Sequence, residues 1–199
     1  MPQCVRVVFQ QPPNPPFDSI RGQSNPDCDA CCGEYDGFTI KSGTKNVWID
    51  HVTFERTGDE HISVVENDGT MNGSGASKDV AISWTRHKQQ NQVFGVGNMD
   101  DNLSNIAKYR RVTAHHNYYG GTAIRHPKMQ SGRVHLYNNY YVNWTHWGVC
   151  ANYGSHLRAE ANIWDNTTSA LEGIRYGCDG VSGKGNGKVS GDAPVIVER

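Results

Sequence analysis

This sequence lacks the features that mark a membrane protein or a nucleic-acid-binding protein. No apolar run approaches the roughly 20 residues that a membrane-spanning helix needs, and the mean hydropathy is −0.66. The 19 basic and 20 acidic residues give a formal net charge of −1. Since there is no excess of positive charge, we expect neither nucleic acid nor an anionic membrane surface as a partner.

The sequence also lacks a recognisable secretion signal and is poor in apolar residues. Met1 is followed by Pro-Gln-Cys-Val, without the charged and apolar regions of a signal peptide. Only 36% of the 199 residues are hydrophobic, whereas 22 are glycine. One domain of this length can still bury a sizeable core. Length and composition together favour a loop-rich β solenoid over a helical bundle.

The sequence does contain an internal repeat. A nine-residue phrase at 111–119 (RVTAHHNYY) returns at 133–141 as RVHLYNNYY, a step of 22 residues from 111 to 133. A self-match at a period above about 20 residues indicates a stacked repeat architecture. Three further segments fall into the same frame, beginning at Asn46, Asp79 and His156.

Alternation within the repeat predicts its fold. The second and fourth positions are apolar, which is the period of a strand with one buried face. A strand every 22 residues, with no helical pattern between copies, is too closely spaced for a βαβ unit of about 30 residues or more. The sequence therefore predicts an all-β fold, a single-stranded right-handed parallel β-helix in which each turn of the chain (a rung) stacks on the last. The second-position residues are Val47, Val80, Val112, Val134 and Leu157.

Two other columns of the repeat predict stacking inside the coil. Asn117, Asn139 and Asn162 share one position, where stacked amides can hydrogen-bond from rung to rung. Aromatic residues share another position, with His87 as the exception. We interpret both columns as core packing that stabilises the solenoid. The aromatic members are Phe54, Tyr119, Tyr141 and Trp164.

The repeat also sets the expected domain boundaries. It is clear over residues 36–165, and we assign the β-helix domain to 1–173. Residues 11–35, rich in proline, cysteine and aspartate, are predicted to form a loop. After about residue 173 the chain turns glycine-rich and loses the repeat, so 174–199 is predicted to be an irregular tail.

The six cysteines allow two interpretations. In a secreted chain this even number would form disulfides, with 15 possible pairings. The alternative is a zinc site on the cluster Cys28, Cys31 and Cys32, although a single CxxC without a second pair is weak evidence for zinc. The cysteines are Cys4, Cys28, Cys31, Cys32, Cys150 and Cys178.

Four phrases in this frame resemble the pectate lyase/pectin lyase family. They are NVWIDH at 46–51, HHNYY at 115–119, RHPK at 125–128 and GRVHLYNNYY at 132–141. The resemblance implies an enzyme that cleaves α-1,4-linked polygalacturonate of plant cell walls by β-elimination, assisted by Ca²⁺. It also implies a secreted protein whose partner is a pectic polysaccharide, and we expect a monomer.

The resemblance assigns roles to particular residues. Arg125, the first residue of the family's Arg-x-Pro-x-x-Arg motif, matches the base that removes the C5 proton of the sugar. Asp36 and the pair Asp68 and Asn72 match the ligands of Ca²⁺, a cation that takes oxygen ligands. Glu34, two residues before Asp36, offers a further oxygen. The matched substrate-binding positions are Lys88, Gln92, Lys128 and Gln130.

Three positions depart from the family pattern. Asn72 replaces the second aspartate of the calcium pair, Gln92 stands where a substrate-binding lysine is usual, and Gln130 replaces the second arginine of the motif. A cleft with fewer positive charges attracts a polyanion less strongly. Two alternatives therefore stay open: a calcium-independent pectin lyase acting on methylated pectin, and a non-catalytic β-helical polysaccharide-binding protein. A Cys/His metal-binding module is a third, weaker interpretation.

Overall fold

Alternating apolar residues fold this chain into short parallel strands. The structure, a computed structural model, describes backbone and side chains for residues 36–40, 44–65, 77–97, 110–152 and 155–165, and five further strands by their backbone alone. No helix in this described part is long and apolar enough to cross a membrane.

The strands, numbered in chain order, form three parallel sheets. Sheet A contains β1 (Val5–Val7), β4 (Lys45–Asp50), β7 (Lys78–Ser83), β10 (Arg111–His115), β13 (Arg133–Tyr137), β16 (His156–Glu160) and β19 (Lys188–Gly191). Sheet B contains β2 (Asp18–Arg21), β5 (Val52–Glu55), β8 (Arg86–Lys88), β11 (Tyr118–Gly120), β14 (Tyr140–Val142), β17 (Ile163–Asp165) and β20 (Val195–Val197). Sheet C contains β3 (Phe38–Ile40), β6 (Ile62–Val64), β9 (Phe94–Val96), β12 (Lys128–Gln130), β15 (Val149–Asn152) and β18 (Ile174–Tyr176).

The register confirms the predicted parallel β-helix. Arg111 pairs with Arg133, as the 22-residue step requires, and Arg133 pairs in turn with His156. Each of the first six rungs contributes one strand to each sheet, and the apolar second and fourth positions of sheet A point into a continuous core. Equivalent residues of successive rungs therefore lie directly above one another, separated by the spacing of about 4.8 Å between hydrogen-bonded strands.

A column of left-handed residues turns the chain from sheet A into sheet B. These residues directly follow the sheet A strands, and their φ angles lie between 50° and 57°. L-residues seldom adopt this conformation without local hydrogen bonds to stabilise it. The members of the column are His51, Trp84, His116, Asn138 and Ala161.

Asparagines at the next position supply those hydrogen bonds. Asn139 Nδ2 donates to Asn162 Oδ1 and to Ala114 O, both at 2.9 Å. Its own Oδ1 accepts from the backbone N and the Nδ2 of Asn117, at 3.0 and 3.1 Å. The predicted asparagine ladder is confirmed, and it satisfies polar groups that the turns would otherwise bury without partners.

The aromatic column forms a continuous stack in the core. The ring of Tyr141 lies parallel to those of Tyr119 and Trp164, with centroid distances of 4.6 and 3.9 Å. His87, the exception in the sequence, stands within the same stack, 5.1 Å from Phe54 and 4.6 Å from Tyr119. The interpretation of this column as core packing is confirmed.

Two segments predicted to be irregular contain strands. β2 lies within the predicted loop 11–35, where Asp18 pairs with Val52. β18, β19 and β20 lie within the predicted tail 174–199 and pair with β15, β16 and β17. At these strands the two predictions were wrong, because three or four residues between proline- or glycine-rich stretches of sequence give too short an alternation to be recognised.

The asparagine ladder yields a stability prediction. In Asn139→Ala, the buried amide of Asn117 and the carbonyl of Ala114 lose their partners, so we expect unfolding to become easier by about 2–4 kcal/mol. Urea denaturation measures this change. The matched control is Asn138→Gly at the neighbouring exposed position, where φ is 54° and glycine is tolerated; an equal loss in both variants would contradict the ladder's role.

Three buried histidines share the core of the coil. His61 Nδ1 lies 3.1 Å from His87 Nδ1, while His126 Nε2 hydrogen-bonds Thr122 at 2.7 Å. Burial, reinforced by the neighbouring His126, lowers the pKa of His61 to about 3. Burial also lowers the pKa of His126 to about 3 and that of His87 well below its usual value. All three rings are therefore neutral in the folded chain at ordinary pH.

These histidines make the fold acid-sensitive. Because each folded-state pKa lies below the unfolded value of about 6.5, the unfolded chain binds more protons below that pH, and stability falls as the pH falls from about 6.5 towards 3. Each histidine contributes a slope of up to about 1.4 kcal/mol per pH unit. Urea unfolding at pH 7.5, 6 and 5 should show a shallower loss in His87→Phe than in the natural chain. The exposed control His146→Asn should keep the natural slope, and identical slopes in all three proteins would contradict the prediction.

Candidate active site

Arg125 lies on an irregularity at the entrance to sheet C. Ile124 pairs with Gln92, and Lys128 pairs with Gly95. The chain therefore advances four residues on this rung where it advances three on the previous one. The extra residue makes a bulge, a feature that re-aims a side chain. Arg125 itself has φ of 65°, and the peptide bond between His126 and Pro127 is cis. A non-glycine residue in this conformation costs free energy, and such residues are concentrated at functional sites.

The guanidinium of Arg125 pairs with a carboxylate two rungs away. Its Nη1 donates to Glu60 Oε1 in a largely buried ion pair, with 20% and 10% of the two side chains exposed. Its Nε is buried and makes no hydrogen bond to the described residues. The group is therefore held by one contact and retains a donor for another.

Glu60 belongs to a cluster of three acids. One carboxylate oxygen each from Asp36, Asp59 and Glu60 lies within 4.8 Å of the others. The backbone N of Glu60 donates to Asp36 Oδ1 at 3.1 Å, and Thr39 Oγ1 donates to Asp36 Oδ2 at 2.8 Å. These bonds hold Asp36 beside the start of β6, so the cluster is built across two successive rungs.

The electrostatics of the cluster are unbalanced. The pKa of Glu60 is raised to about 7, chiefly by burial, with Arg125 opposing the rise and Asp59 and Asp36 adding to it. Burial likewise raises the pKa of Asp59, against a hydrogen bond with Glu60. One guanidinium thus faces three carboxylates.

This donor set fits a divalent cation. Carboxylate oxygens are the ligands that Ca²⁺ prefers, and the ion takes six to eight of them counting water. A doubly charged ion would also oppose the burial and the repulsion between carboxylates that raise the pKa of Glu60 and of Asp59. The three acids therefore satisfy the chemistry of a calcium site.

The sequence and the fold agree with one family of known proteins. The family model described as pectate lyase matches residues 23–196. This chain belongs to the pectate lyase family. The resemblance seen in the sequence phrases is thereby confirmed.

Individual pectate lyases show the extent of the similarity. Pectate lyase C of Dickeya chrysanthemi is 31% identical over 155 residues, which cover 73% of this chain and 40% of the relative. The solved structure of a pectate lyase bound to hexasaccharide has a TM-score of 0.61 at 20% identity, over 82% of this chain and 43% of that one. Pectate lyase C from Erwinia chrysanthemi, solved at pH 9.5 with 30 mM Ca²⁺, has a TM-score of 0.51 at 21% identity, over 70% and 43%. The chain therefore spans less than half of such relatives: 40% of the Dickeya chrysanthemi pectate lyase C, and 30% of pectate lyase E from the same organism.

The structure brings several of the residues matched to the pectate lyase pattern together. Lys128 points away from the core on β12, in register with Gly95 and with the disulfide-bonded Cys150. Gln92 pairs with Ile124, the residue before Arg125, whereas Gln130 stands at the far end of β12; the two side chains are only 6% and 9% exposed. Asp36 stands in the acid cluster.

Other predicted site residues do not lie beside Arg125 or are outside the described part of the structure. Lys88 lies at the end of β8 in sheet B, where it pairs with Glu55 and Gly120. Asp68 and Asn72, the predicted partners of Asp36, lie outside the described residues, as does Glu34. The roles predicted for Asp68, Asn72 and Glu34 therefore stay predictions.

Sequence reasoning missed Asp59 and Glu60. Phe38 pairs with Ile62, so Asp36 and Glu60 each stand two residues before a sheet C strand. Aligning the short apolar runs FTI and ISV would have placed these two acids in one column. The repeat that is visible in the sequence belongs to the longer sheet A strands, which do not contain these acids.

Proposed function

We propose that this chain acts as a pectate lyase, cleaving α-1,4-linked polygalacturonate by calcium-assisted β-elimination. One observation carries the proposal: Arg125 contacts, through Glu60, a cluster of three carboxylates beside the outer face of sheet C. Arginine and a cation site in contact are what an elimination next to a uronate carboxylate needs. We also propose a secreted monomer whose partner is the pectic polysaccharide.

The residues divide the chemical work between them. Asp36, Asp59 and Glu60 would hold the cation, which when bound acts as a Lewis acid on a substrate carboxylate and makes the C5 proton easier to remove. Arg125, whose donors face this site, is assigned two tasks. It accepts the C5 proton, and it stabilises the negative charge that develops on the sugar as that proton leaves. The glycosidic oxygen then departs from C4. Lys128, with its ammonium group on the outer face of sheet C, is assigned to substrate carboxylates.

A second candidate reaction follows from the two glutamines. Gln92 and Gln130 put neutral amides where the family usually carries cations, so the cleft loses two charges that would attract a fully ionised polymer. Partly methylated pectin, with fewer carboxylates, suits such a cleft better. A pectin lyase acting on that substrate is therefore the alternative. If neither polygalacturonate nor methylated pectin is cleaved, a polysaccharide-binding protein without catalysis is indicated.

Lyase activity tests this proposal directly. On polygalacturonate with millimolar Ca²⁺ we expect unsaturated product, detected by its ultraviolet absorbance, and we expect EGTA to abolish it and added Ca²⁺ to restore it. Asp36→Asn should raise the Ca²⁺ concentration needed for half-maximal rate by about tenfold or more, because a charged ligand is lost. Chelator-resistant activity on methylated pectin would select the pectin lyase instead, and polymer binding without product would select the binding protein.

Substitution of Arg125 tests the assignment of the proton-transfer group. Arg125→Lys keeps the positive charge opposite Glu60 but loses the guanidinium geometry, so kcat should fall by about 100-fold or more. The matched control is Arg111→Lys, an exposed arginine paired with Asp79 on sheet A, which should leave kcat within about twofold. Both proteins should melt as cooperatively as the natural chain. An Arg125→Lys enzyme with unchanged kcat would remove Arg125 from the mechanism.

A further inference from the structure

We propose that Glu60 is a shared ligand, whose carboxylate exchanges between the guanidinium of Arg125 and a divalent cation held by Asp36 and Asp59. Cation binding would then release Arg125 towards the substrate, so Glu60 acts as a positioning residue for Arg125. This inference rests on the proposed cation site and goes beyond it by linking that site to the arginine.

The contacts of Glu60 point to both partners at once. Its Oε1 accepts from Arg125, and its carboxylate also lies within 4.8 Å of the oxygens of Asp36 and Asp59. Its other side-chain contacts are a hydrogen bond with Asp59 and a long one from Ser63 Oγ, which lies 3.5 Å from Oε2. A carboxylate in this position cannot fully satisfy a guanidinium and a cation with the same oxygen.

The backbone permits the side chain to move without moving the strand. The main chain of Glu60 is anchored, because its N–H donates to Asp36 and its carbonyl accepts from Gly37 N at 2.9 Å. The side chain of Glu60 reaches over Gly95 of the next rung, the residue paired with Ser63, where a Cβ would stand only 3.2 Å from Oε1. The missing side chain at Gly95 leaves room for the carboxylate over sheet C.

A shared ligand makes a thermodynamic prediction that simple repulsion does not. If Glu60 serves both partners, Arg125 and the cation compete for it, and removing Arg125 tightens cation binding. Repulsion between the positive charges would also tighten binding, but that effect does not require Glu60. The two explanations differ in whether the gain survives when Glu60 loses its charge.

A double-mutant cycle separates them, using isothermal titration with Ca²⁺ alone and no substrate. The four proteins are the natural chain, Glu60→Gln, Arg125→Met and the double variant, with Arg125→Lys as a charge-retaining control. We expect Glu60→Gln to weaken Ca²⁺ binding about tenfold. Arg125→Met should tighten Ca²⁺ binding about tenfold in the natural chain, but less than threefold in the Glu60→Gln background. Arg125→Lys should bind Ca²⁺ within about threefold of the natural chain, because the lysine keeps Glu60 paired.

The possible failures are distinguishable. Equal tightening by Arg125→Met in both backgrounds would overturn the shared ligand while leaving the cation site intact, and unchanged affinity in Glu60→Gln would do the same. Absence of Ca²⁺ binding in the natural chain, or an Asp36→Asn affinity equal to the natural one, would overturn the proposed calcium site itself. If Arg125→Met does not melt cooperatively, Arg125→Gln completes the cycle, since it also removes the charge.

Discussion

The backbone hydrogen bonds between successive rungs are the constraint on which the rest of this structure depends. They place equivalent residues of each rung in columns about 4.8 Å apart, so a residue type repeated in the sequence becomes a stack in space. Apolar positions become a continuous core, asparagines become a ladder and aromatic rings become a pile from Phe54 to Trp164. The same rule brings together acids that lie far apart in the chain, as Asp36 and Glu60 show.

The low apolar content of the chain is compatible with a stable coil because much of the interior is polar and paired. The asparagine ladder satisfies backbone groups at the turns, and the buried histidines His61, His87 and His126 hydrogen-bond each other or nearby residues. A buried polar group with a partner contributes about 1 kcal/mol, whereas one without a partner costs more than that. The interior is consequently specific about register, since slipping the strand pairing by one residue would break every column at once.

Electrostatic imbalance distinguishes the candidate active site from the rest of the coil. Elsewhere in the described residues, exposed ion pairs such as Arg111 with Asp79 match charge for charge. At the entrance to sheet C, three carboxylates meet one guanidinium, and burial makes the excess negative charge costly. A bound cation would neutralise this excess charge. Metal binding and the position of Arg125 are therefore linked, because both positive groups interact with the same carboxylates. Gln92 sharpens the point, because it stands two residues before β9 as Glu60 stands two residues before β6, and a cation there would have offset part of the excess.

The sequence by itself determined the fold class, the 22-residue frame, the asparagine and aromatic columns and the family, because each depends on a pattern that repeats or on a motif of adjacent residues. Only the tertiary structure showed that Asp59 and Glu60 join Asp36, that Glu60 holds Arg125, and that Lys88 lies on another sheet. Those facts depend on how strands of three residues pair across loops of unequal length, and such loops leave no regular spacing in the chain. Strands β2, β19 and β20 escaped prediction for the same reason: their pairing energy comes from the neighbouring rung and not from their own short alternation.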